Sequence, residues 1–187
     1  MSKSNTPLNI PEGVSGDWAI KHNIEPAGKE FTTANLRCQM FGGQPGKKVS
    51  WGHDTCWHYL QEEGHTWMSD LPCEQAQMQQ CIKGMRGHVL VGGLGLGLVA
   101  GMLAQQKRVK KISVCELSPD VMNLVWPHID TTKMDFVNAD LLSYLDDYDG
   151  KPFDYAFYDI WCSDREGTFF ETVCPLYQLS QGKVKYP

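Results

Sequence analysis

From residue 88 onward, short apolar runs alternate along the chain with amphipathic stretches. Apolar runs bounded by turn residues predict buried strands, and apolar positions spaced three and four apart predict helices. Strand–helix units in regular alternation indicate a parallel sheet wound by right-handed crossovers. The predicted strands cover residues 88–92, 110–116, 135–138 and 153–159, and the predicted helices cover residues 95–106, 118–126, 140–145 and 165–179. We therefore predict an α/β fold with a doubly wound parallel sheet.

The chain before this alternation has no sustained period. Prolines and glycines interrupt residues 1–30, and we expect this segment to be irregular. Residues 31–68 contain two or three short, aromatic-rich strands, with a hairpin turn at residues 61–64. A helix that stops at Gly84 then follows. We divide the chain into an N-terminal irregular and β-hairpin region, residues 1–70, and an α/β domain, residues 71–187.

Three glycines follow the first predicted strand directly and lead into a helix. Gly93, Gly95 and Gly97 are the glycines of this turn. Glycine lets the backbone approach a ligand closely, and a helix N-terminus presents unpaired N–H groups and the positive end of the helix dipole. A strand that turns through glycines into a helix therefore indicates a nucleotide pocket. A plain tight turn is the alternative interpretation, and the density of glycines disfavours it.

The next three predicted strands each end at or beside a carboxylate, namely Glu116, Asp140 and Asp159. In a doubly wound sheet, ligands bind beyond the carboxyl ends of the strands, and an acid after the second strand can accept hydrogen bonds from ribose hydroxyls. Each acid also has a structural interpretation. Glu116 can be a solvated strand end, Asp140 a helix cap, and Asp159 a partner of Arg165. Their joint position favours a nucleoside-binding site.

The order of these motifs resembles the class I S-adenosylmethionine-dependent methyltransferase fold, and within it the spermidine synthase-like branch. The segments that carry the resemblance are residues 89–97, 115–121 and 153–159, and the likeness extends over roughly residues 57–165. It implies a Rossmann-like sheet, shortened at its C-terminal end. The implied cofactor is S-adenosylmethionine or decarboxylated S-adenosylmethionine.

The resemblance also implies a role for each site residue. The glycines would pass beneath the methionine and ribose, the glutamate would hold the ribose hydroxyls, and Leu117 would flank the adenine. Asp140, with Ala139 beside it, would accept a hydrogen bond from the adenine amino group. Asp159 would be the catalytic residue, because an attacking amine must first lose a proton. The residues implied to bind the cofactor are Gly93, Gly95, Gly97, Glu116, Leu117, Ala139 and Asp140.

The chain departs from the aminopropyltransferase pattern after the catalytic acid. The family continues with Ser-Ser-Asp-Pro, whereas residues 160–163 read Ile-Trp-Cys-Ser, so Asp164 is the candidate for the second acid. Leu96 stands where the family usually has an acidic residue. A complete sheet needs further strands after Asp159, and only residues 182–186 suggest one. We expect the last helix, the N-terminal region or a second subunit to cover the edge of the last predicted strand, and a homodimer is one such arrangement.

Four functions follow from this reading. The first is methyl transfer from S-adenosylmethionine to an unidentified small acceptor, and the second is aminopropyl transfer to a polyamine. The third is a non-catalytic nucleoside-binding module, and the last is a nicotinamide dinucleotide site. Aromatic residues available to wall an acceptor pocket, or to form a core, are Trp51, Trp57, Tyr59, Trp67, Tyr158 and Trp161. Acidic residues available to a polyamine pocket are Glu62, Glu63, Asp70, Glu74, Asp159 and Asp164.

The composition limits the classes of partner that we expect. The net charge of −5 offers no basic footprint for nucleic acid or an acidic membrane, so we expect a small-molecule substrate. No apolar stretch is long enough to span a bilayer, the N-terminus lacks a signal-peptide core, and we expect a cytoplasmic protein. Seven cysteines without a repeated spacing indicate reduced thiols. The cluster His53, Cys56, His58 and His65 fits no standard zinc spacing, and we predict no metal site.

Overall fold

Two larger sheets, one parallel and one antiparallel, and one two-stranded antiparallel ribbon organise the described residues. A computed structural model describes residues 7–34, 46–161 and 169–186. The strands are β1 (Gly13–Ser15), β2 (Trp18–Glu25), β3 (Phe31–Thr32), β4 (Lys48–Val49), β5 (Thr55–Glu62), β6 (His65–Ser69), β7 (Gly87–Gly92), β8 (Val109–Glu116), β9 (Met134–Asn138), β10 (Phe153–Tyr158) and β11 (Val184–Tyr186). The α-helices are α1 (Pro72–Cys81), α2 (Leu98–Ala104), α3 (Pro119–Val125), α4 (Leu141–Asp147) and α5 (Cys174–Ser180).

The parallel sheet has the strand order β11–β10–β7–β8–β9. β7 lies in the middle and pairs in parallel with β8 on one side and with β10 on the other. After β7, the chain adds β8 and then β9 on one side of it. It then returns and adds β10 on the other side of β7, so the switch in strand order lies at the carboxyl end of β7. The predicted strands correspond to β7, β8, β9 and β10, and the predicted Rossmann-like α/β fold is confirmed.

Residues of β7 alternate between two apolar layers. Val89 and Val91 pack with Leu103 of α2 on one face of the sheet. Leu90 packs with Phe153 of β10 on the other face. Burial on both faces explains why β7 is apolar from Val89 to Val91 without alternation.

Two strands lie between residues 13 and 25, so the prediction that residues 1–30 are irregular is wrong there. β1 and β2 form a hairpin there, and β2 pairs antiparallel with β5 along eight residues, from Trp18↔Glu62 to Glu25↔Thr55. β5 and β6 form the predicted hairpin, which completes the sheet order β1–β2–β5–β6. Within β2 only Ile20 is fully buried. The strand therefore has no apolar alternation, and its pairing with a distant strand defines it.

β11 covers the edge of β10. The two strands are parallel, with Phe153 opposite Val184 and Tyr155 opposite Tyr186. The strand suggested at residues 182–186 is therefore confirmed, and it covers this edge instead of the last helix or the N-terminal region, while a homodimer stays a prediction. The predicted helix at residues 165–179 is π-helical over Phe169–Val173 and continues as α5, and residues 165–168 lie outside the described residues. Among the described residues, no helix has both the length and the apolarity to cross a bilayer.

A buried carboxylate holds the antiparallel sheet together near its junction with α1. Asp70 is fully buried. Its Oδ1 accepts from the backbone N–H of His58 at 2.7 Å, and its Oδ2 lies 2.8 Å from Nδ1 of the same histidine. Oδ2 also accepts from the backbone N–H of Leu8 at 2.7 Å. Three donors thus converge on the Asp70 carboxylate. Their hydrogen bonds offset the free-energy cost of removing this carboxylate from water.

Substitution Asp70→Asn tests this junction. The asparagine amide replaces an acceptor with a donor that faces other donors, so we expect a loss of about 2–4 kcal/mol in the free energy of unfolding. Urea denaturation measures the loss. Asp149→Asn, at an exposed position, serves as the matched control. Equal stability of the two variants would contradict the assigned role of Asp70.

Candidate functional site

A cavity of about 470 Å³ lies beyond the carboxyl ends of the parallel strands. The antiparallel sheet covers it from the other side. Ligand sites commonly have volumes of this order and combine apolar walls with a few polar groups. The lining residues from the parallel sheet and from the segments that follow its strands are Gly93, Gly95, Cys115, Glu116, Leu117, Ser118, Val121, Ala139, Asp140, Leu141, Asp159, Ile160 and Trp161. Those from the antiparallel sheet are Trp18, Leu60, Glu62, Trp67 and Met68.

Gly93 and Gly95 form the cavity floor in backbone conformations that favour glycine. Gly93 has φ +90°, and a β-carbon there would collide with the carbonyl oxygen of Asp159. Gly95 has φ +51°, and a β-carbon there would collide with the Met68 sulfur. The bare backbone therefore lets the strand ends and the antiparallel sheet close around the cavity.

Gly97 lies outside the cavity lining. It is the residue before α2, with φ +72°. A β-carbon there would lie 3.0 Å from Ile129 and 3.1 Å from Val125. The structure thus places Gly97 where the loop turns into the helix and packs on neighbouring apolar residues.

The carboxylate of Glu116 connects the end of β8 to the glycine loop. Oε2 accepts from the backbone N–H of Leu94 at 2.7 Å, and Oε1 accepts from the N–H of Ser118 at 2.9 Å. A carboxylate oxygen can accept a second hydrogen bond, so both oxygens can also receive ligand hydroxyls. Leu117 is 67% exposed beside this carboxylate. A flat ring placed against its side chain would cover apolar surface that now faces solvent.

Asp140 is a helix cap and a cavity residue at once. Its Oδ1 accepts from the backbone N–H and the hydroxyl of Ser143, both at 2.9 Å, at the start of α4. Oδ2 is the oxygen that can accept from a ligand. Ala139 precedes it, and its carbonyl oxygen lies 3.4 Å from the Cys115 thiol. The helix-cap interpretation of Asp140 is therefore confirmed, and the residue also lines the cavity.

Asp159 stands at the opposite end of the cavity, directly after β10. Its backbone N–H donates to the carbonyl of Gly92 at 2.9 Å, which fixes it against the glycine turn. Burial raises the pKa of its carboxyl to about 6. Burial also raises the pKa of the Glu74 carboxyl, and the charge of Asp159 contributes to that shift. A buried acid with a pKa near neutrality is suited to proton transfer.

Aromatic and acidic residues of the antiparallel sheet cover the cavity. Trp18 and Trp67 have ring centroids 5.3 Å apart, and the Trp67 indole N–H donates to Glu62 at 3.1 Å. Sequence reasoning missed Trp18, because it belongs to a segment without periodicity. Trp51 and Trp57 instead pack with each other and with Phe31 away from the cavity, so the aromatic residues divide between core and site. Asp164 lies outside the described residues.

Two contacts hold the antiparallel sheet in place over the strand ends. The hydroxyl of Ser15 donates to Asp120 of α3 at 2.6 Å. The Met68 sulfur lies 3.1 Å from the backbone nitrogen of Leu96 in the glycine loop. Leu96 is fully buried there, which suits an apolar residue at this position of the loop. The cover is thus fastened to the same loop that forms the floor.

The fold is similar to that of spermidine synthase. One solved structure, in complex with the transition state analogue AdoDATO, has a TM-score of 0.57 and 16% identity, with 94% of this chain and 54% of that chain covered. Spermidine synthase from Thermotoga maritima has a TM-score of 0.52 and 13% identity, with 88% of this chain and 60% of that chain covered. The chain thus spans between half and two thirds of these structures. No protein-family model and no curated protein sequence matches it.

The raised pKa of Asp159 predicts a pH-dependent cost in stability. Its carboxyl ionises near pH 3.8 in its ordinary state but near pH 6 when folded. The folded chain therefore binds more protons than the unfolded chain between these values, and stability falls as the pH rises from about 4 to about 6. Above about pH 6 the cost is fully present. Asp159→Asn removes it, so we expect this variant to be more stable than the wild type by about 2–3 kcal/mol at about pH 7.5 and equal to it below about pH 4.

Urea denaturation of both proteins at the two pH values measures this difference. Asp149→Asn is again the exposed control and should show no pH-dependent difference from the wild type. A stability difference between Asp159→Asn and the wild type that is no larger at the higher pH than at the lower would contradict a buried carboxylate that costs stability.

Proposed function

We propose that the chain binds an S-adenosylmethionine-type nucleoside in this cavity and transfers its methyl group to a small acceptor. The observation that carries the proposal is the convergence of Gly93, Gly95, Glu116 and Asp140 on one cavity, with Asp159 at its other end. Four strand ends and the loop between them supply these residues. Packing alone does not require three carboxylates around one hollow.

The residues present fit an adenosine group. The two glycines form the cavity floor, and a β-carbon at either would displace the Asp159 carbonyl or the Met68 sulfur beside it. Glu116 is held in place by two backbone amides and keeps capacity for the ribose hydroxyls. Oδ2 of Asp140 can accept from the adenine amino group, and Leu117 and Ala139 can lie against the ring. Gly97 supports this floor from outside the cavity.

Asp159 is the candidate proton acceptor. When bound, S-adenosylmethionine supplies an electrophilic methyl group on a positively charged sulfur. The carboxylate of Asp159 can orient a neutral or cationic acceptor by a hydrogen bond and take up the proton that the acceptor releases. Trp18, Trp67 and Trp161 would exclude water and hold the acceptor in line. Positioning of this kind accounts for most of the catalysis expected here.

Aminopropyl transfer from decarboxylated S-adenosylmethionine is the second candidate. The fold similarity to spermidine synthase favours it. So does the cavity lining, in which Glu62 and Asp159 occur together with tryptophans. Carboxylates and aromatic rings together suit a cationic amine. Glu63 and Asp70 do not line the cavity. Glu63 is exposed in the β5–β6 turn, and the carboxylate of Asp70 is hydrogen-bonded to His58.

Calorimetric titration tests the ribose contact of Glu116. We expect Glu116→Ala to weaken S-adenosylmethionine binding by about 1–3 kcal/mol, or about 5- to 150-fold in Kd, because two hydroxyl donors lose a charged acceptor. Glu171→Ala, at an exposed position, is the control and should bind as the wild type does.

A second titration separates ribose recognition from damage to the loop. The wild type should prefer adenosine to 2′,3′-dideoxyadenosine, and Glu116→Ala should lose that preference whatever its overall affinity. A variant that still discriminates as strongly as the wild type would place the ribose elsewhere.

A transfer assay tests the role of Asp159. We expect Asp159→Asn to keep its affinity for S-adenosylmethionine within about threefold, while transfer falls by about 10²-fold or more, because general-base assistance is lost. The assay offers S-adenosylmethionine and its decarboxylated form with a panel of small amines and polyamines. Methyl transfer supports the first proposal, and aminopropyl transfer supports the second. Tight nucleoside binding without any product would identify a non-catalytic binding module instead.

A further inference from the structure

A second polar cluster lies in the antiparallel sheet, outside the nucleoside cavity. His22 of β2 is directly opposite His58 of β5, and Cys56 precedes His58 by two positions, so the three side chains share one face of the strand pair. The ring centroids of the two histidines are 4.5 Å apart, in an edge-to-face arrangement. One possible metal-ligand atom from each of the three residues lies within 4.8 Å of the other two. None of the three lines the cavity.

Oxygen acceptors fix one ring nitrogen of each histidine. Nδ1 of His58 lies 2.8 Å from Oδ2 of the buried Asp70, and Nε2 of His22 lies 2.9 Å from the carbonyl oxygen of Ile10. Neither oxygen can donate, so each of these nitrogens carries the proton. In the neutral rings, Nε2 of His58 and Nδ1 of His22 therefore keep their lone pairs. Histidines that bind metals almost always donate their other ring N–H to a carboxylate or carbonyl in this way.

We propose that His22, Cys56 and His58 bind a zinc-class divalent cation, each histidine through its non-donating ring nitrogen and Cys56 through its thiolate. Two imidazoles and a thiolate match the ligands that Zn²⁺ prefers. Tetrahedral Zn²⁺ sites hold their ligand atoms roughly 3.3–3.7 Å apart, so metal binding would draw the two imidazoles and the thiolate closer together. His22 and Cys56 are only partly buried, which leaves the fourth position open to water.

This site differs from the zinc cluster considered from sequence. Cys56 and His58 remain, but His22 replaces His53 and His65 among the described residues. His22 comes from a strand that the sequence does not predict, so no spacing rule detects it. The ion would fasten β2 to β5, and both strands contribute residues to the cavity cover. Metal binding should therefore stabilise the cover without entering the nucleoside site.

Cobalt titration of the full-length chain tests the site. After the chain is stripped with a chelator, we expect one equivalent of Co²⁺ to give a thiolate-to-metal charge-transfer band and visible bands typical of tetrahedral coordination, and Zn²⁺ to displace both. His22→Gln and Cys56→Ser should each weaken binding at least about 10-fold, with the charge-transfer band lost in Cys56→Ser. Asp70→Asn should weaken it by about 10- to 100-fold through the orientation of His58.

Two matched controls guard against adventitious binding by other side chains. His65→Gln removes an exposed histidine of the neighbouring strand, and Cys174→Ser removes a thiol outside the cluster. Both should bind Co²⁺ as the wild type does. Circular dichroism checks that each variant is folded. Absence of a stoichiometric cobalt complex in the wild type would overturn the proposal, and so would an unchanged spectrum in Cys56→Ser.

Discussion

The hydrogen bonds of the Glu116 carboxylate are the interaction on which the site depends. They join the end of β8 to the glycine loop after β7 and to the start of the segment leading into α3. They add to the backbone hydrogen bond from the N–H of Gly93 to the carbonyl of Cys115, which also ties the loop to the end of β8. A charged acceptor with two backbone donors is also pre-organised, because it need not reorient when a ligand arrives. The same residue thus shapes the cavity floor and faces the ligand space.

The cover of the cavity depends on contacts that run between the two sheets. Met68 packs against the loop at Gly95 and Leu96, and Ser15 bonds to Asp120. The contact with Met68 explains why position 95 is a glycine, because a β-carbon there would collide with the Met68 sulfur. They also place tryptophans and Glu62 opposite the strand-end carboxylates. The cavity is therefore a property of both sheets, although its recognisable motifs belong to one.

Sequence predicts the parallel sheet well because burial on both faces leaves a local signal. β7, β8 and β10 are apolar runs bounded by turn residues, and their carboxyl ends carry the glycines and acids that the resemblance assigns to a cofactor. Seven of the eight predicted site residues line one cavity, and Gly97 supports it from outside. The positive φ angles of the glycines explain why the turn stands out in sequence.

The antiparallel sheet was harder to predict because its stability comes from long-range pairing. β2 has one fully buried residue, and no local sequence pattern predicts that it pairs with β5. Trp18 at the cavity and His22 beside Cys56 both follow from that pairing. Residues brought together by strand register have no fixed spacing along the chain, so motif rules do not find them.

We propose that an adenosine group lies across the ends of β7, β8 and β9. A crystal structure of the chain grown with S-adenosylmethionine tests it most directly. We expect ribose hydroxyls on the Glu116 carboxylate, adenine between Leu117 and Asp140, and the sulfur facing Asp159. A nucleoside bound elsewhere, or a ribose turned away from Glu116, would contradict it.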